Sequence, residues 1–265
     1  MKIYISADIE GVTGCTHWDE TEVGGHGYEY YARQMTLEVA AACKGANKAG
    51  AKEIFVKDAH SSGRNIDHGL LPRNTKLIRA WSGGIYSMVQ ELDESFDAVL
   101  FIGYHSAASK DTNPLAHTMT TSLDYLKING KIASEFLIHS YIAAYLKVPV
   151  VFLSGDKGLC DQVKRINENI STVAVKEGIG NSTINIHPDL ALDLIEKEVE
   201  AALRKDLTKC LIELPQEFLI EIRYKNHKDA YKSSTFPGAS RLDEHRVKFS
   251  SKDYIEVLRM MNFLV

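Results

Sequence analysis

Long apolar runs are missing from this 265-residue chain. No stretch approaches about 18 consecutive apolar residues, the usual minimum for a membrane-spanning helix. The first apolar run starts at Lys2 and meets the charged Asp8 at once, so it does not have the pattern of a signal peptide. We therefore expect a soluble, cytoplasmic protein.

Cysteine is scarce as well. The four cysteines, Cys15, Cys43, Cys160 and Cys210, are scattered and form no C-x-x-C pair. This excludes the common cysteine-based zinc and redox motifs. The spacing is typical of small buried apolar residues or free thiols in a reducing compartment.

Positive charge is not concentrated anywhere. The chain has 31 basic and 35 acidic residues, a formal net charge of -4, and no basic run. These features give no indication of nucleic-acid binding. No basic cluster is predicted at the strand ends, which argues against a polyanionic phosphate substrate.

Several familiar catalytic motifs are also absent. The sequence contains no H-E-x-x-H, no G-x-x-x-x-G-K-[ST] and no G-x-S-x-G. Any active site must therefore be assembled from residues that are dispersed along the chain.

What is present is an alternation of strands and helices. Residues 2–9 and 53–60 predict two strands, and 28–50 predicts an amphipathic helix between them. A strand, a helix and a strand form a βαβ unit with parallel strands. Residues 97–105 form an apolar run typical of the centre of such a sheet. We expect an α/β fold, a mostly parallel sheet flanked by helices, with a short helix near 85–92.

The last third of the chain has a different pattern. Helices are predicted at 188–205 and 252–264, with alternating strands at 217–224 and 246–249. We expect a metal-binding α/β domain over 1–177 and a smaller α+β region over 178–265, packed together as one unit. The junction is predicted at Gly178–Ser182.

Carboxylates and histidines follow three of the predicted strands. Asp8 and Glu10 end the first strand, His60 ends the second, and His105 ends the apolar third. In open α/β sheets, ligands bind beyond the carboxyl ends of the strands. Glu135 lies in the first turn of a helix that Ser134 is expected to cap. The polar, glycine-rich loop over 15–27 either covers this edge or is only a connection.

Three carboxylates and two imidazoles suit zinc, manganese or a similar metal. Five candidate ligands, Asp8, Glu10, His60, His105 and Glu135, exceed the three protein ligands of a mononuclear catalytic zinc. They suit two divalent ions that share a bridging carboxylate. Asp8 is our prediction for the bridge.

The motifs resemble those of the zinc-dependent D-aminopeptidase family. The likeness begins at Ser6-x-Asp8-x-Glu10-Gly11 and extends over nearly the whole chain in the same order. It continues through Lys57-Asp-Ala-His-Ser61, Gly103-Tyr-His105, His117, Asn129 to Glu135, Ala174-Val-Lys176 and Phe236-Pro-Gly238. One departure is Gly178-Ile-Gly-Asn181, where the family usually has an arginine. If that arginine helps to hold substrate or a neighbouring subunit, the departure affects substrate range or assembly.

The resemblance implies a two-zinc site from the five predicted ligands and a direct catalytic role for His117. It also implies a decameric homo-oligomer acting on short peptides with N-terminal D-residues. The residues alone leave two alternatives open. One is a metal-dependent hydrolase of phosphate esters or non-peptide amides, and the other is a non-catalytic metal- or ligand-binding protein. A carboxylate is needed to bind the substrate amine, and Asp156 is the candidate.

Overall fold

The computed structural model describes all residues from Met1 to Val265, and they form two sheets. The larger sheet has seven strands in the order β3-β2-β1-β4-β7-β8-β9. Its strands are β1 (Lys2–Ala7), β2 (Glu53–Asp58), β3 (Thr75–Ile78), β4 (Ala98–Tyr104), β7 (Val150–Asp156), β8 (Ser171–Ile179) and β9 (Ser182–Asn185). All neighbours pair in parallel except β9, which is antiparallel to β8. The predicted fold class is confirmed.

The smaller sheet is antiparallel and has the order β11-β12-β10-β5-β6. Its strands are β5 (Leu123–Ile128), β6 (Lys131–Ile132), β10 (Phe218–Tyr224), β11 (Ser240–Arg241) and β12 (Arg246–Ser251). Asn129 and Gly130 connect β5 to β6 with φ angles of 51° and 77°. Two positive φ values are what a tight hairpin turn requires, as this dipeptide predicts.

Six α-helices accompany the sheets. They are α1 (Tyr28–Lys48), α2 (Glu135–Tyr145), α3 (Lys157–Ile166), α4 (Pro188–Leu203), α5 (His227–Ser233) and α6 (Tyr254–Leu264). None is long and apolar enough to cross a membrane. The prediction of a short helix near 85–92 is wrong, because only a 3-10 turn, Ser87–Val89, forms there. Ser87 has a φ of 41°, which a right-handed α-helix does not permit.

Residues on both sides of the predicted domain boundary pack against each other and share the same sheets. Helix α4 comes after residue 178, yet it packs on α1 of the first part. A Cβ at Gly45 of α1 would lie 2.3 Å from the Glu196 carbonyl oxygen, so the contact needs glycine. Strand β5 of the first part pairs with β10 of the second. The division after residue 177 stays a prediction, and its junction lies at the β8–β9 hairpin.

Candidate metal centre

The ends of three adjacent parallel strands bring the predicted ligands together. Asp8 directly follows β1, His60 follows β2 by two residues, and His105 directly follows β4. Strand β1 lies between β2 and β4, so all three side chains meet at one sheet edge. Glu10 follows on the loop after β1, and Glu135 is the first residue of α2, after the Ser134 cap.

Two glycines let the strand ends approach each other. A Cβ on Gly11 would lie 1.9 Å from the Tyr104 carbonyl oxygen. A Cβ on Gly103 would lie 2.2 Å from the Asp8 carbonyl oxygen, and its φ is 69°. The Gly11 N–H donates to the Gly103 carbonyl at 2.8 Å. Only glycine permits this close approach, which places the two loop carboxylates beside His105.

The carboxylate and imidazole groups form one buried cluster. His60 Nδ1 lies 3.2 Å from Asp8 Oδ1 and 3.1 Å from Glu10 Oε2. His105 Nε2 lies 3.6 Å from Asp8 Oδ2 and 3.2 Å from Glu135 Oε2. Asp8, Glu10, His105 and Glu135 are each at most 3% exposed, and His60 is 5% exposed. Three anionic groups are thus held out of water within a few ångströms.

His117 lies at the open side of this cluster. Its ring stacks on His105, with centroids 4.4 Å apart and planes 12° apart. Its Nε2 is 3.5 Å from Glu135 Oε1 and 3.9 Å from Glu10 Oε1. The side chain is 13% exposed, more than any of the five predicted ligands.

Backbone carbonyls orient all three imidazoles. His105 Nδ1 donates to the Ser106 carbonyl at 2.9 Å, and His117 Nδ1 donates to Leu115 at 2.9 Å. His60 is reversed: its Nε2 donates to the Thr21 carbonyl at 2.9 Å. Each ring therefore directs its second nitrogen at the carboxylates. Ligand histidines in metal sites are oriented in the same way.

The electrostatics of the cluster show that it needs positive charge. Burial and the charge of Glu10 raise the pKa of Asp8 well above its ordinary value. Burial opposes ionisation of His105, but the charges of Glu135, Glu10 and Asp8 together outweigh it, and the pKa of His105 rises to about 10. Without a cation, these buried groups therefore have to bind protons to offset the negative charge.

A second observation also indicates that the cluster fits a metal ion. Glu10 Oε2 and His105 Nε2 are buried and have no hydrogen-bond partner. Orphaned buried acceptors are costly unless another partner is present. Oxygen and nitrogen donors of this kind suit a borderline divalent cation such as zinc.

Two lysines that the sequence analysis gave no role stabilise the site from behind. Lys176 is 3% exposed; its Nζ donates to the Cys15 carbonyl at 2.5 Å and to the Glu10 carbonyl. Lys57 is fully buried and donates to the carbonyls of Asp58 and Ala80. Both ammonium groups are occupied by the backbone. In the sequence, the only indication of a role for these lysines is that both lie in the matched motifs.

Two further buried acidic residues, Asp58 and Asp156, stabilise the structure around the site. Asp58 accepts hydrogen bonds from Asn65 and the Ile66 N–H, so it stabilises the following loop rather than the His60 ring. Asp156 is fully buried and accepts from Ser106, Asn113 and the Leu159 N–H. Its carboxylate is already occupied, so it is a poor partner for a substrate amine.

A pocket of about 330 Å³ opens onto the cluster. Its lining includes Trp18, Glu22, Trp81 and Met119, and none of its residues is a lysine or an arginine. The glycine-rich loop over 15–27 contributes the first two and therefore covers the site. Met119 has a φ of 62° and donates its N–H to Glu135 Oε1 at 2.6 Å. Strained backbone of this kind is concentrated at functional sites.

A second cleft, of about 860 Å³, is larger and lies beside α2 and α3. It contains none of the six predicted site residues. We assign the chemistry to the smaller pocket because the carboxylates and imidazoles lie there.

An open α/β sheet with three carboxylates and three imidazoles at its carboxyl edge defines a metallohydrolase. The model of the M55 peptidase family, described as D-aminopeptidase, matches residues 1–263. The chain belongs to this family of D-aminopeptidases, and the predicted resemblance is confirmed.

Individual relatives agree with the family. The D-aminopeptidase of Bacillus subtilis (strain 168) is 30% identical in an alignment 266 residues long. The alignment covers 98% of this chain and 95% of the relative. A solved structure, the zinc-dependent D-aminopeptidase DppA from Bacillus subtilis, is described as a self-compartmentalizing protease. It superposes with a TM-score of 0.92 at 29% identity, covering 100% of this chain and 96% of that one. The expected enzyme class, an aminopeptidase, is therefore confirmed.

Lys176→Met should destabilise the protein and weaken metal binding, because the buried Cys15 carbonyl loses its donor and the Glu10 carbonyl keeps only that of Asn113. An unsatisfied buried acceptor costs about 1–3 kcal/mol. We expect a comparable loss in the free energy of unfolding, measured by urea denaturation, together with reduced zinc content. The matched control is Lys197→Met on the exposed face of α4, which should leave both unchanged. Equal stability of the two variants would show that the Lys176 bonds contribute little.

Proposed function

We propose that this chain is a binuclear zinc-dependent aminopeptidase that releases N-terminal D-residues from short peptides. The observation that carries the proposal is a pair of ligand groups with one shared member. Asp8, Glu10 and His60 form one group whose donor atoms lie within 4.8 Å of one another, and Asp8, His105 and Glu135 form another. A carboxylate common to two ligand groups is the arrangement that a bridged pair of ions needs.

Zinc is the metal we propose for both positions. The donors are carboxylate oxygens and imidazole nitrogens, which zinc accepts. The similar solved structure is described as zinc-dependent. Bound ions of this kind supply a Lewis acid for the scissile carbonyl and lower the pKa of a coordinated water.

His117 is the residue we propose for direct catalysis. Its Nδ1–H is engaged by Leu115, so in the neutral ring Nε2 carries the lone pair and faces the cluster. Such a nitrogen can accept a proton from water, deliver one to the leaving amine or attack the carbonyl carbon. His117 also forms a third compact group with Glu10 and His105. The alternative role, as a ligand, is therefore chemically possible and is tested below.

The pocket suits a small substrate that is not strongly anionic. No lysine or arginine lines it, so a phosphate ester would find no permanently charged basic side chain there. Its volume of about 330 Å³ is at the lower end of the range for small-molecule sites, about 300–1,000 Å³. A di- or tripeptide that enters by its N-terminus fits these limits. The D-configuration is proposed from the family and from both relatives.

We further propose a cytoplasmic homo-oligomer, a decamer by resemblance. The relative described as self-compartmentalizing superposes over the whole chain, which supports assembly. The four cysteines are buried and unpaired, as is usual in a reducing compartment. Asn181 lies on the exposed turn between β8 and β9. Whichever contact the family arginine makes there, this chain lacks it.

The metal stoichiometry should be about two zinc ions per chain after zinc loading and removal of excess metal, by elemental analysis. Chelation should lower the melting temperature, because the buried carboxylates lose their cations. Asp8→Asn should bind fewer ions than Asp156→Asn, since only Asp8 belongs to both ligand groups. A limit of one ion in the loaded wild type would exclude the binuclear site.

His117→Ala should abolish most turnover and keep both ions, whereas His105→Ala should lose metal as well. General acid–base catalysis is typically worth about 10²–10⁴-fold in rate, so a loss of that size is expected for His117→Ala. Turnover and zinc content are measured on the same preparations. The control is His245→Ala, a half-buried histidine outside the cluster whose Nδ1 also hydrogen-bonds a backbone carbonyl, that of Tyr224. If His117→Ala releases an ion, His117 is a ligand.

Peptides with a free N-terminal D-alanine should be cleaved much faster than their L-counterparts and their N-acetylated forms. Blocking the amine removes a charged contact worth about 1.5–3 kcal/mol, or about ten- to a hundredfold in rate. Rates on D- and L-alanine p-nitroanilide, D-alanyl dipeptides and p-nitrophenyl phosphate test this. Preference for the phosphate ester would favour the alternative hydrolase, and no turnover of any substrate would favour a binding protein.

A further inference from the structure

We propose that Glu22 binds the α-ammonium group of the substrate and so imposes the requirement for a free N-terminus. This inference rests on the proposed aminopeptidase function. An enzyme that acts at the N-terminus must recognise a cation there, and a carboxylate outside the metal cluster is its natural partner. The structure limits the candidates to one.

Four carboxylates line the pocket: those of Asp8, Glu10, Glu22 and Glu135. All except Glu22 belong to the metal cluster. Glu22 forms no ion pair with a lysine, arginine or histidine, and no lysine or arginine lines the pocket to compete for it. Its negative charge is therefore available to a substrate.

Glu22 is exposed and lines the pocket beside residues that contact the cluster. Thr21, the preceding residue, accepts the Nε2–H of His60 through its carbonyl at 2.9 Å. Glu22 Oε2 lies 3.5 Å from the hydroxyl of Ser61, the residue after His60. The carboxylate thus lies on the His60 side of the pocket wall. In a peptide whose scissile carbonyl reaches the cluster, the amine is one bonded carbon away, and our proposal places it on the Glu22 side of the pocket.

The surroundings increase the strength of such a contact. Trp18 and Trp81 also line the pocket, and Trp81 is fixed by its Nε1–H, which donates to the Ser61 carbonyl at 2.7 Å. When a substrate fills the pocket, these rings replace water around the ammonium–carboxylate pair. An ion pair that is partly removed from water is screened less than one on an open surface.

The test compares substrates that differ only in the amine. D-alanine p-nitroanilide and propionyl p-nitroanilide share every other atom of the acyl group. In the zinc-loaded protein, Glu22→Gln should lower kcat/KM for the amine substrate by about ten- to a hundredfold, mainly through KM. It should leave the propionyl substrate unchanged. Glu29→Gln, an exposed glutamate outside the pocket, should behave like the wild type for both.

A binding measurement separates this inference from the proposed function. The chain has two tryptophans, Trp18 and Trp81, and both line the pocket, so their fluorescence reports occupancy. Glu22→Gln should weaken binding of D-alanine amide by about ten- to a hundredfold and should not affect propionamide. If the wild type turns over neither anilide, the aminopeptidase function fails and Glu22 is judged on binding alone. If Glu22→Gln keeps the wild-type preference for the amine in both measurements, another group, such as a metal ion, binds it and the inference is wrong.

Discussion

The burial of three carboxylates at one sheet edge is the constraint on which the rest of the site depends. Asp8, Glu10 and Glu135 are almost inaccessible to water, and like charges this close repel strongly in a poorly solvated site. Protons on the nearby histidines can offset part of this charge. Divalent cations can offset it fully and also use the lone pairs that have no hydrogen bond. We therefore expect metal binding to contribute to the folding free energy of this protein.

The backbone around the cluster supplies the required order. Gly11 and Gly103 let two strand ends come closer than any side chain would allow, and this spacing sets the distance between the carboxylates and His105. Carbonyls of Thr21, Ser106 and Leu115 fix the three imidazoles. Lys176 holds the loop of Glu10 from the opposite side. Each ligand is therefore preorganised, which lowers the cost of ordering it when an ion binds.

One loop contributes both to the proposed metal cluster and to the wall of the pocket. The segment over 15–27 gives His60 its hydrogen-bond acceptor and gives the pocket Trp18 and Glu22. A change that moves this loop would therefore disturb both a ligand and the substrate wall. The pocket has acidic and aromatic walls without lysine or arginine, and this composition agrees with a peptide amine better than with a phosphate.

Local pattern in the sequence was sufficient to predict the α/β class, the Asn129–Gly130 turn, the Ser134 cap and five clustered ligand candidates. These follow from periodicity, turn chemistry and the rule that parallel strands end at a common edge. The pattern failed at Ser87, where a positive φ prevents the helix that composition favours. It also could not show that Asp156 is occupied by hydrogen bonds, that Lys176 supports Glu10, or that Glu22 faces the pocket. Those facts depend on which residues, far apart in the chain, become neighbours, and only tertiary packing decides that.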